Sequence, residues 1–259
     1  MKQIKTIAVV CAILLAASSC SKDKVQPNDQ TNDQTRRLTR FSNTIGSPYA
    51  EDYEYDSQGR IVKEENNYDL TTYVYSGNTI TIKEIRKTDA NRQVALITAN
   101  MDAQGRIISS TGVTEYIKGT VVNVQTVLEY NAEGYIVKFV RTDNGVTEIK
   151  YEYGYANGNL VSKKYYLQGV YKSEETTEYD LSKPDRIGQN PTYALGFYFN
   201  GQEGKTNKNL GIGGKLIQAN NTISWTYNKV YEMDNQNFPV KMTISGGTWN
   251  EVWDYTYNK

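Results

Sequence analysis

The sequence lacks histidine altogether, and its 259 residues include only two cysteines and five prolines. Histidine is the side chain that most often serves as an acid–base catalyst near neutral pH, and it is the commonest metal ligand. Its absence excludes the usual serine and cysteine hydrolase arrangements, in which an imidazole activates the nucleophile. We therefore predict no cofactor and no metal site.

An excess of either charge is also missing, because 29 basic residues are balanced by 29 acidic ones. This balance argues against nucleic acid as a partner, since nucleic-acid-binding surfaces are rich in basic residues. The abundant residues are tyrosine, with 22 copies against 5 phenylalanines, and glycine, with 20. Tyrosine can bury its ring while its hydroxyl reaches water, so this composition is typical of β-sheets with one solvated face.

The N-terminus has the pattern of an export signal over residues 1–19. Lys2 and Lys5 precede an apolar stretch that is too short to span a membrane and that ends in small residues. Ala17–Cys20 resembles a bacterial lipobox, although Ala17 stands where leucine is usual. The resemblance implies that Cys20 is lipidated and becomes the first mature residue. The alternative is an ordinary signal peptide with an incidental cysteine.

The polar segment after Cys20 has no hydrophobic periodicity, so we interpret residues 20–40 as the lipidated N-terminus and a flexible tether. The partner implied by the lipid is a membrane. We therefore expect an outer-membrane lipoprotein of the cell envelope, facing either the periplasm or the exterior.

One hairpin pattern recurs along the rest of the chain. Tyr53–Lys63 has an alternating aromatic strand, an Asp-x-x-Gly turn and a second alternating strand. Further copies, some of them degenerate, are Met101–Ile107, Glu129–Lys138, Tyr151–Val161, Glu178–Ile187 and Tyr231–Lys241, where asparagine replaces the turn glycine. The uneven spacing of the copies argues against a solenoid and favours a meander of antiparallel strands.

The alternation predicts which face of each strand is packed. Ile149, Tyr151 and Tyr153 share one face, and Lys150 and Glu152 share the other. A membrane barrel needs an outward face without charge at mid-membrane depth. We therefore predict one all-β domain over residues 41–259, an antiparallel meander of hairpins forming a large curled sheet. Its shape would be barrel-like or half-barrel, and it would be soluble rather than membrane-spanning.

These copies resemble the YD repeats of Rhs-type wall and toxin-shell proteins, whose core motif is Tyr-x-Tyr-Asp-x-x-Gly-Arg-Ile/Leu. The chain is more closely similar to a family of Bacteroidota lipoproteins of unknown function that join a lipobox and a polar tether to degenerate hairpins of this kind. The resemblance covers about residues 38–259. It implies an all-β lipoprotein domain and no particular activity.

An irregular insertion at about residues 188–214 interrupts the hairpins. It contains the apolar cluster Leu195, Phe197, Tyr198 and Phe199, and it ends in the glycine-rich stretch Gly211–Gly214, which we interpret as a flexible turn. A long irregular segment in a regular sheet either covers an open edge or barrel end, or forms a binding loop. The apolar cluster favours a plug.

The candidate ligand-binding residues are aromatic: Trp225, Trp249, Trp253, Tyr255 and Tyr198. Trp249, Trp253 and Tyr255 have the same parity and would share one face of a strand. They could form a stacking platform for sugar rings or a groove for a protein partner. The alternative is that they are core residues that close the sheet.

No pair of carboxylates stands out as catalytic, since the acidic residues alternate into positions that we expect to face solvent. We therefore predict a protein that is not an enzyme and that binds a glycan or an envelope protein. Two alternatives stay open. One is a carboxylate-dependent glycan hydrolase, which needs only two acids, and the other is a purely structural envelope scaffold.

Overall fold

A computed structural model of the chain describes residues 36–43, 49–117, 119–188 and 202–258. Within these ranges the regular elements are all β-strands. None of these residues belongs to a helix long and apolar enough to cross a membrane. The predicted signal peptide, Cys20 and Tyr198 lie outside the described residues.

The strand bounds are as follows. The first eight are β1 (Leu38–Asn43), β2 (Tyr49–Tyr55), β3 (Ile61–Asn66), β4 (Asp69–Ser76), β5 (Thr79–Arg86), β6 (Arg92–Met101), β7 (Ile107–Ile117) and β8 (Thr120–Tyr130). The other eight are β9 (Ile136–Asp143), β10 (Val146–Ala156), β11 (Asn159–Leu167), β12 (Val170–Pro184), β13 (Asn209–Gln218), β14 (Ile223–Met233), β15 (Pro239–Gly246) and β16 (Trp249–Tyr257).

The strands form a closed antiparallel barrel in which each strand pairs with the next and β1 pairs with β16. The predicted all-β meander is confirmed. The half-barrel alternative is wrong, because Phe41 of β1 pairs with Tyr255 of β16 and so joins the two ends of the sheet. The barrel also starts before the predicted boundary at residue 41, since β1 begins at Leu38 and Arg36 forms an ion pair of 2.6 Å with Asp234.

The Asp-x-x-Gly segments are tight turns held by the aspartate. The Asp56 Oδ1 accepts hydrogen bonds from the backbone N–H groups of Gln58 and Arg60, both at 2.9 Å. Gly59 supplies the left-handed conformation, with φ of 81°. In the last copy Asn237 takes the place of glycine with φ of 61°, which asparagine tolerates better than most residues.

Each arginine of these turns covers a tyrosine of the next hairpin. The Arg60 guanidinium carbon lies 4.1 Å from the centroid of the Tyr75 ring, and the Tyr75 hydroxyl donates to the Ile61 carbonyl at 2.9 Å. The pair Arg106 and Tyr130 repeats the arrangement, with a distance of 4.4 Å. The repeat therefore fixes neighbouring hairpins to one another through cation–π contacts and hydroxyl hydrogen bonds.

Because the strands form a meander, successive connections alternate between the two ends of the barrel. The Asp-turn end carries the turns at 56–60, 102–106, 131–135 and 234–238, and β1 starts there. The opposite end, named here the tryptophan end, carries the connection 219–222 and the starts of β14 and β16, near Trp225 and Trp249.

The packed face of the strands is the inner face of the barrel. Side chains such as Ile80, Ile82 and Phe139 are completely buried there. The outer face carries cross-strand ion pairs in equivalent hairpin positions, nine residues apart. These pairs are Glu54–Lys63 at 2.8 Å, Glu129–Lys138 at 2.7 Å and Glu232–Lys241 at 3.2 Å.

Residues 202–208 lie across the Asp-turn end. The Gln202 carbonyl accepts a hydrogen bond from Ile107 at 2.9 Å, and the Lys205 and Lys208 N–H groups donate to turn carbonyls at 3.0 and 2.9 Å. Glu203 is only 1% exposed. These contacts hold residues 202–208 against the turns of the Asp-turn end, and residues 189–201, with the apolar cluster that favoured a plug, lie outside the described residues.

The glycine-rich end of the predicted insertion is part of the barrel wall. β13 begins at Asn209, and Gly213 and Gly214 pair with both β12 and β14. The interpretation of Gly211–Gly214 as a flexible turn is wrong for this reason.

Candidate functional site at the tryptophan end of the lumen

Two tryptophans from different strands meet at the tryptophan end. The ring centroids of Trp225 and Trp249 are 6.0 Å apart, and their planes are inclined by 57°. Both side chains are 37% exposed. The backbone at Gly246 lies close beneath Trp249, since a Cβ atom at this glycine would be 3.1 Å from the indole nitrogen. The absence of a side chain there gives Trp249 the room to approach Trp225.

Trp253 and Tyr255 lie deeper on the same strand. The Trp253 ring packs against Phe41 at 5.2 Å and against Tyr49 at 6.2 Å, and its N–H donates to Glu251 at 3.0 Å. Tyr255 is buried, and its hydroxyl lies 3.6 Å from the Met242 sulfur. The structure therefore brings Trp225 and Trp249 together as exposed rings and places Tyr255 in the core.

The lumen is open along only part of the wall. Most inward-facing side chains of β2 to β9, named here the closed wall, are buried, as are Ile82, Ile97 and Leu128. The opposite side of the barrel is named here the open wall, and its inward-facing side chains keep some exposure, 13% for Lys163 on β11 and 26% for Glu175 on β12. Because these side chains face the inside of the barrel, their exposed surface is solvent-accessible through the lumen. The lumen is therefore accessible to water beside β11 and β12.

Lys163 and Glu175 form a charged cluster on the open wall. The two residues are directly paired in the β11–β12 register, and their side chains form an ion pair of 2.7 Å. The Tyr227 hydroxyl donates to the same carboxylate at 3.2 Å. Burial raises the pKa of Glu175, but the Lys163 charge and the hydrogen bonds outweigh this effect and leave the pKa below its usual range. The carboxylate is therefore ionised at neutral pH.

Lys229 follows Tyr227 by two residues and shares its inward face. Its ammonium is 5.5 Å from the Tyr227 ring centroid, and it forms no ion pair with a side chain in the described part of the chain. Burial lowers the pKa of Lys229, while the more distant Glu175 and Asp185 charges act in the opposite direction. Lys229 is thus a partly buried cation in the lumen.

Acidic side chains also line the closed wall. Glu51, Glu64 and Glu84 are buried on β2, β3 and β5, so the expectation that acidic residues face solvent is wrong for these three. Glu64 is paired with the inward-facing Tyr53 across the β2–β3 register, and Glu84 has the parity of the inward-facing Ile82. The hydroxyls of Tyr53 and Tyr73 donate to Glu51 and Glu64, at 3.0 and 2.8 Å. Across the described ranges, no group of three or more acidic, cysteine or histidine side chains is arranged to hold a metal ion.

The charged residues of the open wall were not among the predicted site residues. The available signal was parity, since Lys229 occupies the same strand face as Tyr227 and Tyr231, where an apolar or aromatic residue is expected. A charge on a packed face points to a functional position. The partners of Lys229 could not be inferred, because they come from other strands and depend on the register.

No known family model matches the chain, and no curated protein matches it. Among solved structures, it is similar to a porin-like protein from Bacteroides uniformis, with 15% identity and a TM-score of 0.65 over 85% of this chain and 98% of that one. It is also similar to a porin-like protein from Bacteroides vulgatus, with 17% identity and a TM-score of 0.62 over 86% and 98% of the two chains. At these identities the similarity shows a shared barrel fold.

Proposed function

We propose that the protein is a lipid-anchored, water-soluble barrel of the bacterial cell envelope that binds a glycan at the tryptophan end of its lumen, without catalysis. The Trp225–Trp249 pair carries this proposal, because it places two half-exposed rings above a polar lumen. Aromatic rings bind the apolar faces of sugars, and polar side chains below them can bind hydroxyl groups.

The outer face of the barrel supports solubility. Lys150 and Lys164 lie on this face near the middle of β10 and β11, and Lys150 forms an ion pair of 2.7 Å with Glu152. A basic residue on the lipid-facing side of a barrel costs roughly 2–4 kcal/mol at the membrane midplane. The inner face, by contrast, carries the apolar core, which is buried along β2 to β9. This distribution suits a barrel in water and is the reverse of that in a transmembrane pore.

The start of β1 suggests how the barrel is oriented. β1 begins at the Asp-turn end, so a tether from Cys20 joins the barrel at that end. A flexible segment of this length has an end-to-end distance on the order of 20–25 Å. With Cys20 lipidated, the tryptophan end would point away from the membrane.

The Asp-x-x-Gly hairpins of this chain share one turn geometry, which also supports kinship with lipoproteins that carry YD-like repeats.

A carboxylate-dependent glycan hydrolase is the alternative favoured by the three buried glutamates. Two of them accept hydrogen bonds from tyrosines. They also lie on the closed wall, where inward side chains are buried. We therefore prefer binding without catalysis, and release of reducing ends from a bound glycan would favour the hydrolase instead. A structural scaffold would bind no glycan at all.

A glycan array, together with a pull-down from envelope extracts, tests the proposal. Trp225→Ala and Trp249→Ala should each weaken glycan binding by about tenfold, as expected for loss of one aromatic contact. Tyr171→Ala is the matched control, because Tyr171 forms a ring pair with Tyr166 at 5.6 Å on the outer face of the barrel and does not face the lumen. The proposal fails if no glycan binds, or if both tryptophan variants bind as the wild type does. Capture of a protein alone would favour a protein partner.

A further inference from the structure

We infer that the ligand is an acidic glycan and that Lys229 binds its carboxylate inside the lumen. This inference rests on the proposed glycan-binding function and adds the chemical class of the sugar. The observation that motivates it is the charge of Lys229, which faces the lumen and has no ion-pair partner among the described side chains.

Glu175 and Asp185 are the two acids whose charges act on Lys229, and both already accept hydrogen bonds from other groups. Glu175 accepts hydrogen bonds from Lys163 and Tyr227. The Asp185 Oδ1 accepts hydrogen bonds from the backbone N–H groups of Ile187 and Gly188, at 3.0 and 3.3 Å. Lys229 therefore interacts with both acids only at a distance, and Lys163 repels it. A partly buried ammonium without a close counter-ion is unfavourable, and a ligand carboxylate would supply one.

The position of Lys229 along β14 fits an oligosaccharide that enters past the tryptophans. Trp225, Tyr227 and Lys229 are successive inward-facing positions on one strand. At roughly 3.4 Å per residue, the Lys229 backbone lies about 14 Å further along the strand than that of Trp225, towards the barrel interior. A chain of sugars stacked at the mouth could therefore present a carboxylate to Lys229 further inside.

The site should prefer acidic to neutral oligosaccharides, because a neutral sugar cannot supply a counter-ion for Lys229. A neutral oligosaccharide could use the tryptophan pair equally well, but it would leave Lys229 without a counter-ion and would remove some of its water. An acidic one would form a charge-assisted hydrogen bond to the ammonium, which is stronger than a hydrogen bond between neutral groups. The Lys163 ammonium is a weaker candidate, because Glu175 already neutralises it.

The test uses a panel of uronate oligosaccharides built from galacturonate, glucuronate, mannuronate or guluronate. Each is paired with its carboxyl-reduced neutral counterpart, and affinities are measured by calorimetry on the full chain. At least one acidic member should bind about tenfold more tightly than its neutral counterpart. Lys229→Met should abolish that preference, and Lys229→Arg should restore much of it. Lys164→Met, on the outward face of β11, should change nothing.

The possible results separate this inference from the function on which it rests. If acidic and neutral members bind equally and Trp225→Ala weakens both, glycan binding stands and the role of Lys229 is overturned. A preference for acidic members that persists in Lys229→Met also overturns it. If no member of either set binds, the inference fails, and the glycan array decides separately whether glycan binding stands. Thermal unfolding of Lys229→Met and Lys229→Arg shows whether each variant is folded.

Discussion

The Tyr227 hydroxyl donates a hydrogen bond to Glu175 at 3.2 Å, although β13 lies between their two strands. The tyrosine can cross β13 because Gly214 stands beneath it. A Cβ atom at this glycine would lie 2.7 Å from the Tyr227 hydroxyl oxygen, and closer still to the Thr176 carbonyl oxygen. The glycine-rich segment is therefore a strand that leaves room for an aromatic side chain.

Gly214→Ala should destabilise the protein by about 1–3 kcal/mol, the usual effect of overpacking. The added methyl group must displace both the Tyr227 side chain and the β12 backbone at Thr176. Urea unfolding measures this loss. Gly154→Ala is the control, since its Cβ atom would meet the nearest atom, the Ser162 Cβ, at an ordinary 3.4 Å. Equal stabilities for the two variants would contradict the tight crossing at Gly214.

Asp102→Ala should be more destabilising than Asp52→Ala. The Asp102 side chain accepts hydrogen bonds from two backbone N–H groups of its turn and forms an ion pair of 2.6 Å with Arg106, which covers Tyr130. Its loss leaves several donors without partners, at about 1–3 kcal/mol. Asp52 forms only an exposed pair with Arg40, which contributes about 0–1 kcal/mol. Chemical unfolding of both variants tests this order, and the reverse order would contradict it.

Asp185→Asn should stabilise the protein at neutral pH but not at acidic pH. Burial raises the pKa of Asp185 to about 6, with smaller opposing effects from two backbone N–H groups and from Lys229. A carboxyl that is harder to ionise in the folded state costs stability as the pH rises from about 4 to about 6. Asparagine keeps the acceptor oxygen and avoids this cost.

The expected gain for Asp185→Asn is about 1–3 kcal/mol at pH 8, and it should disappear near pH 4. Thermal unfolding across this range measures it. Asp180→Asn is the control, because hydrogen bonds from Ser182 lower the pKa of Asp180 and no such gain is expected. A gain for Asp185→Asn that does not change with pH would contradict burial as the cause.

Cys20→Ser should release the protein from the membrane. If Cys20 carries the lipid and the outer wall is solvated, the variant has no other means of attachment. Cell fractionation should find the wild-type chain with membranes and the variant in the soluble fraction, without detergent. A variant that stays in the membrane fraction and needs detergent for extraction would indicate that the barrel itself is embedded.

Much of the wall could be predicted from local sequence. The alternation around Tyr151 and the Asp-x-x-Gly turns fix strand faces and hairpins, because both depend on neighbouring residues. Closure could not be predicted, since the pairing of Arg40 with Thr256 joins distant segments. The same holds for Gly214, whose role depends on Tyr227 in the next strand.

The candidate site was predicted only in part. Parity placed Trp249 and Trp253 on one face, as they are in β16. It could not show that Trp249 meets Trp225, or that Glu175 and Lys163 join Tyr227, because these contacts depend on the register between strands. Glu64 was missed because an irregularity in the β2–β3 pairing buries it with Ile61, although the two residues differ in parity.

Intrinsic fluorescence tests the central claim most directly, because all three tryptophans of the chain lie at or near the proposed site. A bound glycan should shift the emission and protect the tryptophans from acrylamide quenching. The response should be lost in the double variant Trp225→Phe and Trp249→Phe, and kept in Trp253→Phe. A bound glycan that leaves quenching unchanged, or a response that survives in the double variant, would contradict binding at the tryptophan end.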